Sequence, residues 1–226
     1  MQVAVVIPAF QAAKTIGDVV AGTQAAVPGA QIIVVDDGSD DGTGQEGRGR
    51  GATVLTHPRN RGKGVALRIG IARACADGAA VIVTLDADGQ HPPAEIPRLL
   101  GPITDGRADL VLGARDRTGT MPVGRRFTNW LSASLASRIG GQPVSDAQTG
   151  FRAFTRAVAE QVQPIGDRYE YEASFLLDAL RAGYRIASVE VPTIYGSPSH
   201  FRYLGDTWRM ARAFARHAGR IVAGAL

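Results

Sequence analysis

Three short apolar runs constrain what this chain can become. Residues 3–7, 31–35 and 79–83 are built almost wholly of Val, Ile and Ala, and the last two run straight into acidic clusters. Runs of this length, rich in β-branched residues, read as strands buried on both faces, as in a parallel sheet. Between the first two, Ile16, Val19, Val20 and Thr23 recur at helical spacing across residues 14–26. Residues 52–55 supply a further strand, and a helix follows from about Asn60 to Ala76. The resulting order, β-α-β-β-α-β, predicts a doubly wound α/β fold with a mostly parallel central sheet flanked by helices. Right-handed crossovers then bring the strand ends to one rim. Pro8 is expected to end the first strand.

That rim is acidic twice. The second strand ends in Asp36-Asp37-Gly38-Ser39-Asp40-Asp41, and the run at 79–83 leads into Asp86-Ala87-Asp88-Gly89-Gln90-His91. In open α/β sheets, ligands bind just beyond the carboxyl ends of the strands. If the chain stays extended, Asp86 and Asp88 point the same way. With Gln90 they form a hard, all-oxygen set suited to Mg²⁺ or Mn²⁺, with diphosphate oxygens completing the shell. A single acidic turn of this kind is also what a solvated strand end looks like. Two such clusters repel each other, and no structural reason to gather them is evident, so a cation or ribose and base donors are expected to compensate. Asp36 or Asp37 is placed like the acid that holds a ribose hydroxyl. Neither G-x-G-x-x-G after the first strand nor G-x-x-x-x-G-K-[ST] occurs. A nucleotide site without a phosphate loop again points to metal. Gly62-Lys63-Gly64 alone reads equally well as a flexible turn with a solvated lysine.

With 226 residues, 45% hydrophobic and 20% charged, the chain suits an ordinary globular fold. Its net charge of +4 equals the surplus in residues 201–226, which hold five Arg and one Asp. No nucleic-acid partner is expected. Cys75, the sole cysteine, falls in an apolar helical pattern and reads as a buried, inert thiol. The first residues are not expected to form a signal peptide, and no apolar run approaches the ~20 residues that span a bilayer. A cytoplasmic protein is expected, soluble or peripheral on the inner face of the cell membrane.

Five motifs in order carry a family resemblance: V-I-P-A-F, V-V-D-D-G-S-D-D-G-T, N-R-G-K-G, D-A-D-G-Q-H-P and S-D-A-Q-T-G-F-R-A-F, followed by Y-E-Y-E. Together they resemble family-2 glycosyltransferases of the GT-A fold, and in particular the dolichyl-phosphate mannosyltransferases and bacterial polyprenyl-phosphate glycosyltransferases. The resemblance spans about residues 2–203 and implies one glycosyltransferase domain over 1–203. By that pattern Pro8, Asp36 and Asp37 border the nucleoside pocket, with Lys63 near it. Asp86, Asp88 and Gln90 hold the metal that bridges the donor diphosphate. Arg115 and one of Arg125 and Arg126 hold the acceptor phosphate, and Asp146 faces the reaction centre. Asp146 is either a general base or an orienting group. Orientation is expected, because a phosphate acceptor is already an anion. Ser199-His200 and Arg202 stand where the mannosyltransferases have a Ser-Lys pair, and the resemblance implies a cationic loop in which His200 and Arg202 help to hold the acceptor phosphate. Residues 44–51, with four glycines, occupy the place of a family helix. Glycine disfavours helix by about 1 kcal/mol each, so that helix is expected to be frayed or absent.

Elsewhere, Pro93 is expected to open a helix that Pro97 keeps short, 109–113 to form a strand, Glu170 and Glu172 to open a helix through Leu180, and 185–194 to form a strand. Residues 203–224 show a basic amphipathic pattern, with Arg209, Arg212, Arg216 and Arg220 on one side. This helix reads as a membrane-surface element, or else as one that packs on the domain or pairs two copies as a homodimer. The expected reaction is transfer of a sugar from a UDP- or GDP-sugar to a polyprenyl phosphate. The alternatives are transfer to a soluble hydroxyl, a nucleotidyltransferase, and a non-catalytic nucleotide-binding module.

Overall fold

A seven-stranded sheet runs in the order β3-β2-β1-β4-β6-β5-β7. The structure is a computed structural model describing residues 1–115, 123–168, 170–192 and 194, with side chains at 123–131 left out. The strands are β1 Val3–Ala9, β2 Gln31–Asp36, β3 Thr53–Thr56, β4 Val81–Thr84, β5 Leu110–Arg115, β6 Arg152–Thr155 and β7 Ile186–Val191. The helices are α1 Ala13–Ala26, α2 Thr43–Gly49, α3 Lys63–Ala76, α4 Ile96–Thr104, α5 Val123–Gly140, α6 Arg156–Gln161 and α7 Glu170–Arg181. The first four strands pair in parallel. β6 runs antiparallel to both β4 and β5, and β5 pairs with β7 in parallel.

Alternation along the strands divides the core. Val6, Ile33, Val35, Ile82, Leu110 and Leu112 pack with α3, α5 and α7 on one face. Val5, Ile7, Val34, Val83, Leu85 and Val111 pack with α1 and α4 on the other. Both faces are covered, which explains why β1 and β4 are buried throughout and almost wholly apolar.

Several expectations are corrected. β1 continues through Pro8 to Ala9, which pair with Val35 and Asp36 of β2. Pairing to β4 has already stopped at Val6↔Thr84, so Pro8 sits where that side of β1 is no longer laddered. α2 exists despite its glycines. A Cβ on Gly44 would lie 2.7 Å from Asp36 Oδ2, and one on Gly47 would lie 3.3 Å from Val54 Cγ2. These glycines let α2 lie close against the sheet, and that packing outweighs their low helix propensity. Pro97 does not limit α4: it lies in the first turn, where no intrahelical N–H is required, after a short 3₁₀ turn at Pro93–Glu95. Cys75 is half-buried at the edge of the core rather than enclosed. β6 and α6 have no counterpart in the sequence reading.

Candidate active site

The carboxyl ends of β1, β2 and β4 share one rim, and the two acidic clusters on it have different roles. Asp36, the last residue of β2, accepts a hydrogen bond from Ser39 N at 3.0 Å. Asp37 is 3% exposed. Its Oδ1 accepts from Arg61 N at 2.9 Å and lies 2.6 Å from His57 Nδ1, while its Oδ2 accepts from Gly62 N at 2.7 Å. Asp41 accepts from Ala13 N, at the start of α1, and from Thr43 N. Asp40 accepts from Gln11 Nε2. The expectation that no structural reason gathers these carboxylates is therefore corrected: Asp37, Asp40 and Asp41 fasten loops and a helix start to the end of β2. Buried backbone N–H groups need such acceptors.

The second cluster is of another kind. The chain does not stay extended after β4. It turns at residues 87–88, and Asp88 Oδ1 accepts from Gln90 N at 3.0 Å. This turn, rather than strand alternation, brings Asp88 near Asp86. Thr15 Oγ1 at the start of α1 pins the turn by donating to Ala87 O at 2.7 Å, and Ile194 N donates to Gln90 O at 2.8 Å. Lys63, the first residue of α3, sits on Asp86: its Nζ is 2.6 Å from Asp86 Oδ1 and 2.9 Å from Glu172 Oε1.

Electrostatics distinguish the two aspartates. Burial alone would push Asp86 up, but the Lys63 ammonium overrides it and holds the carboxyl below its usual range. Burial, and then the charge of Asp86, push Asp88 up. A carboxylate pair with one member short of positive charge fits a divalent cation. Among the described residues no group of three His, Cys, Asp or Glu side chains is arranged to hold a metal. Gln90 and oxygens of a bound diphosphate would have to complete the shell.

Beside this pair, Arg115 at the end of β5 engages Asp146 bidentately, Nε to Oδ2 at 2.8 Å and Nη2 to Oδ1 at 3.2 Å. Asp146 is 1% exposed. Burial opposes its ionisation, but Arg115 wins and lowers its pKa. His91 packs its ring 5.4 Å from that of Phe151, and burial pushes its pKa below the ordinary imidazole value. Arg152 on β6 is buried and donates to the carbonyls of Thr149, Ala147 and Glu172. It thereby joins the loop carrying Asp146 to the start of α7, which carries Glu172.

Asp86, Asp88, Lys63, Asp146 and Arg115 thus gather around one centre, while Pro8, Asp36 and Asp37 lie at the neighbouring strand ends. The backbone of α5 carries Arg125 and Arg126, but their side chains lie outside the described residues, as do His200, Arg202 and the whole of 204–226. The sequence reading did not assign Glu172, His91 or Arg152 to the site. Glu172 stood in the Y-E-Y-E motif, His91 beside Gln90 and Arg152 within S-D-A-Q-T-G-F-R-A-F, but a strand arginine is read as exposed until its carbonyl partners are known.

Comparison with known proteins agrees with this geometry. Residues 4–163 match the family model described as Glycosyl transferase family 2. A UDP-N-acetylglucosamine–dolichyl-phosphate N-acetylglucosaminyltransferase of Methanococcus voltae is 30% identical over 84% of this chain and 84% of its own length. An undecaprenyl-phosphate mannosyltransferase of Micrococcus luteus is 31% identical over 86% of this chain and 84% of its own. Among solved structures, glucosyl-3-phosphoglycerate synthase from Mycobacterium tuberculosis, in complex with Mn²⁺, UDP and glucosyl-3-phosphoglycerate, superposes with a TM-score of 0.79. It is 25% identical, and the match covers 96% of this chain and 80% of that one.

Proposed function

The chain belongs to glycosyl transferase family 2, and from that footing we propose that it is a metal-dependent, inverting glycosyltransferase that moves a sugar from a UDP- or GDP-sugar to a polyprenyl phosphate. The fold is GT-A, the chain is a glycosyltransferase, and the two relatives above are named for polyprenyl-phosphate acceptors. In this reading an acceptor phosphate oxygen attacks the anomeric carbon, the bond to the donor diphosphate breaks on the opposite face, and the nucleoside diphosphate leaves.

Asp86 and Asp88, with Gln90, would hold the divalent cation. When bound, the cation supplies positive charge against the charge developing on the leaving diphosphate. Pro8 and Asp36 border the nucleoside, while Asp37 shapes that pocket through the loop at 57–62. Arg115, oriented by its pair with Asp146, offers the acceptor phosphate a guanidinium that stays charged, with Arg125 or Arg126 assisting. His200 and Arg202 are further candidates for the same phosphate. Residues 1–203 form the catalytic domain, and 204–226 meet the inner membrane surface or a second copy. No helix among the described residues is long and apolar enough to cross a membrane.

The observation that carries the choice of acceptor is the Arg115–Asp146 pair. A soluble hydroxyl acceptor needs a base to take its proton. Asp146 is a weak one, since Arg115 lowers its pKa and engages both its oxygens. A phosphate needs no deprotonation at neutral pH, only orientation, which a fixed Arg115 provides. The test is release of nucleoside diphosphate from UDP- and GDP-sugars, with and without polyprenyl phosphate and EDTA. The expected result is acceptor-stimulated release that EDTA stops. Pyrophosphate release when a nucleoside triphosphate and a sugar 1-phosphate replace the sugar nucleotide would instead establish a nucleotidyltransferase, and release indifferent to EDTA would remove the metal.

A further inference from the structure

Lys63 lies between two carboxylates brought together from distant parts of the chain. Asp86 follows β4 and Glu172 sits in the first turn of α7, yet both stand within 3 Å of one ammonium, at 2.6 and 2.9 Å. The side chains of Lys63, Asp86 and Glu172 are 18, 25 and 8% exposed. Gly150 closes the group on one side. A Cβ there would lie 2.7 Å from Asp86 Oδ2, 2.7 Å from Glu172 Oε1 and 2.9 Å from Lys63 Nζ. Asp86, Asp88 and Glu172 against Lys63 leave the group at a formal −2, which a divalent cation neutralises.

We propose that Lys63 is the resident counter-ion of the metal site, competing with the divalent cation for Asp86, and that Glu172 is the positioning residue that retains Lys63 when the cation takes Asp86. The proposal rests on the metal-dependent reading above and concerns residues that reading leaves without a role toward the cation. The physical reason is charge. An ammonium left facing a dication in a poorly hydrated site repels it strongly. Glu172 gives Lys63 a second partner already in place, so the cation need only exchange with the ammonium at Asp86 and need not expel it. Absent the cation, Lys63 keeps Asp86 and Asp88 from repelling each other unopposed.

The test measures Mn²⁺ affinity of the full chain without donor, from the free-Mn²⁺ electron paramagnetic resonance signal, so activity does not enter. Lys63→Met removes the competing charge at similar length and should bind Mn²⁺ about tenfold tighter. Glu172→Gln removes the compensating charge and should bind about tenfold weaker. These shifts are of the size expected for one unit charge in a partly solvated site. The double variant should bind like Lys63→Met, because Glu172 acts through Lys63 and contacting residues do not add. Lys63→Gln replaces Lys63→Met if the latter does not fold, as judged by circular dichroism. Unchanged or weaker affinity on neutralising Lys63, or unchanged affinity in Glu172→Gln, overturns the proposal while the metal site stands. Wild type that takes up no Mn²⁺ even with UDP or GDP present overturns the metal-dependent reading and this proposal together.

Discussion

Asp37→Ala should unfold the chain more readily before it affects nucleoside binding. The carboxylate accepts from Arg61 N, Gly62 N and His57 Nδ1, at 2.9, 2.7 and 2.6 Å, and is 3% exposed. Truncation leaves two backbone N–H groups and a ring nitrogen without an acceptor. Each buried donor left unpaired costs about 1–3 kcal/mol. Arg61 N is only partly buried and can recover water, so the total falls near ~3–4 kcal/mol. For a chain of this size 1 kcal/mol shifts Tm by roughly 2–4 °C, so a drop of about 6–16 °C follows. Asp37→Asn should also destabilise, because one amide face presents N–H where acceptors are required. Asp36→Ala gives up the contact to Ser39 N and should be milder. The assay is thermal unfolding of the three variants beside wild type, with nucleoside-diphosphate affinity measured at a temperature where all are folded. An Asp37→Ala protein as stable as wild type, with binding lost, would refute the structural role and return Asp37 to direct contact with the ligand.

Other outcomes follow from the same geometry. Asp88→Ala should abolish transfer while leaving Tm equal or slightly higher, because burial and Asp86 already disfavour its charged form; transfer above background would remove it from the metal set. The Asp146 carboxyl has its pKa lowered from 3.8 on folding, so its pair with Arg115 stabilises the fold above that value and is lost as pH falls through the lower, folded value. Wild type should therefore lose stability below about pH 4 more steeply than Asp146→Asn in acid denaturation, and parallel curves would contradict this. Removing 204–226 should reduce sedimentation with anionic vesicles more than donor hydrolysis, an arginine near such a leaflet contributing about 1 kcal/mol; wild type that ignores vesicles at low salt would favour a packing or dimer role.

β1, β2 and β4 are buried along nearly their whole length. They are largely apolar because both faces of the sheet are covered, and Ile16, Val19 and Val20 of α1 mark a single buried stripe. β6 did not read as a strand because Arg152 opens it, and that arginine is accommodated only by carbonyls of Ala147, Thr149 and Glu172. α2 was obscured by glycines whose purpose, close approach to Asp36 and Val54, depends on a neighbour that local propensity does not see. At the site, Asp86 and Asp88 were legible as a pair because chemistry and spacing coincide. Their turn was not, since the pins at Thr15 and Ile194 come from far along the chain. The role of Asp37 in the loop at 57–62 and the meeting of Lys63 with Glu172 were hidden for the same reason: each is a contact made by the fold.

The central claim, that the acceptor is a phosphate held by Arg115, is tested most directly by comparing transfer to a polyprenyl phosphate with transfer to the matching polyprenol, in wild type, Arg115→Ala and Arg115→Lys. The phosphate should be glycosylated and the alcohol not. Arg115→Ala should raise the acceptor KM or lower kcat with little change in donor binding, and Arg115→Lys should rescue only partly, since a point charge does not reproduce a bidentate fork. Equal transfer to the neutral alcohol, with neither variant impaired, would contradict the claim and give the site to a hydroxyl acceptor.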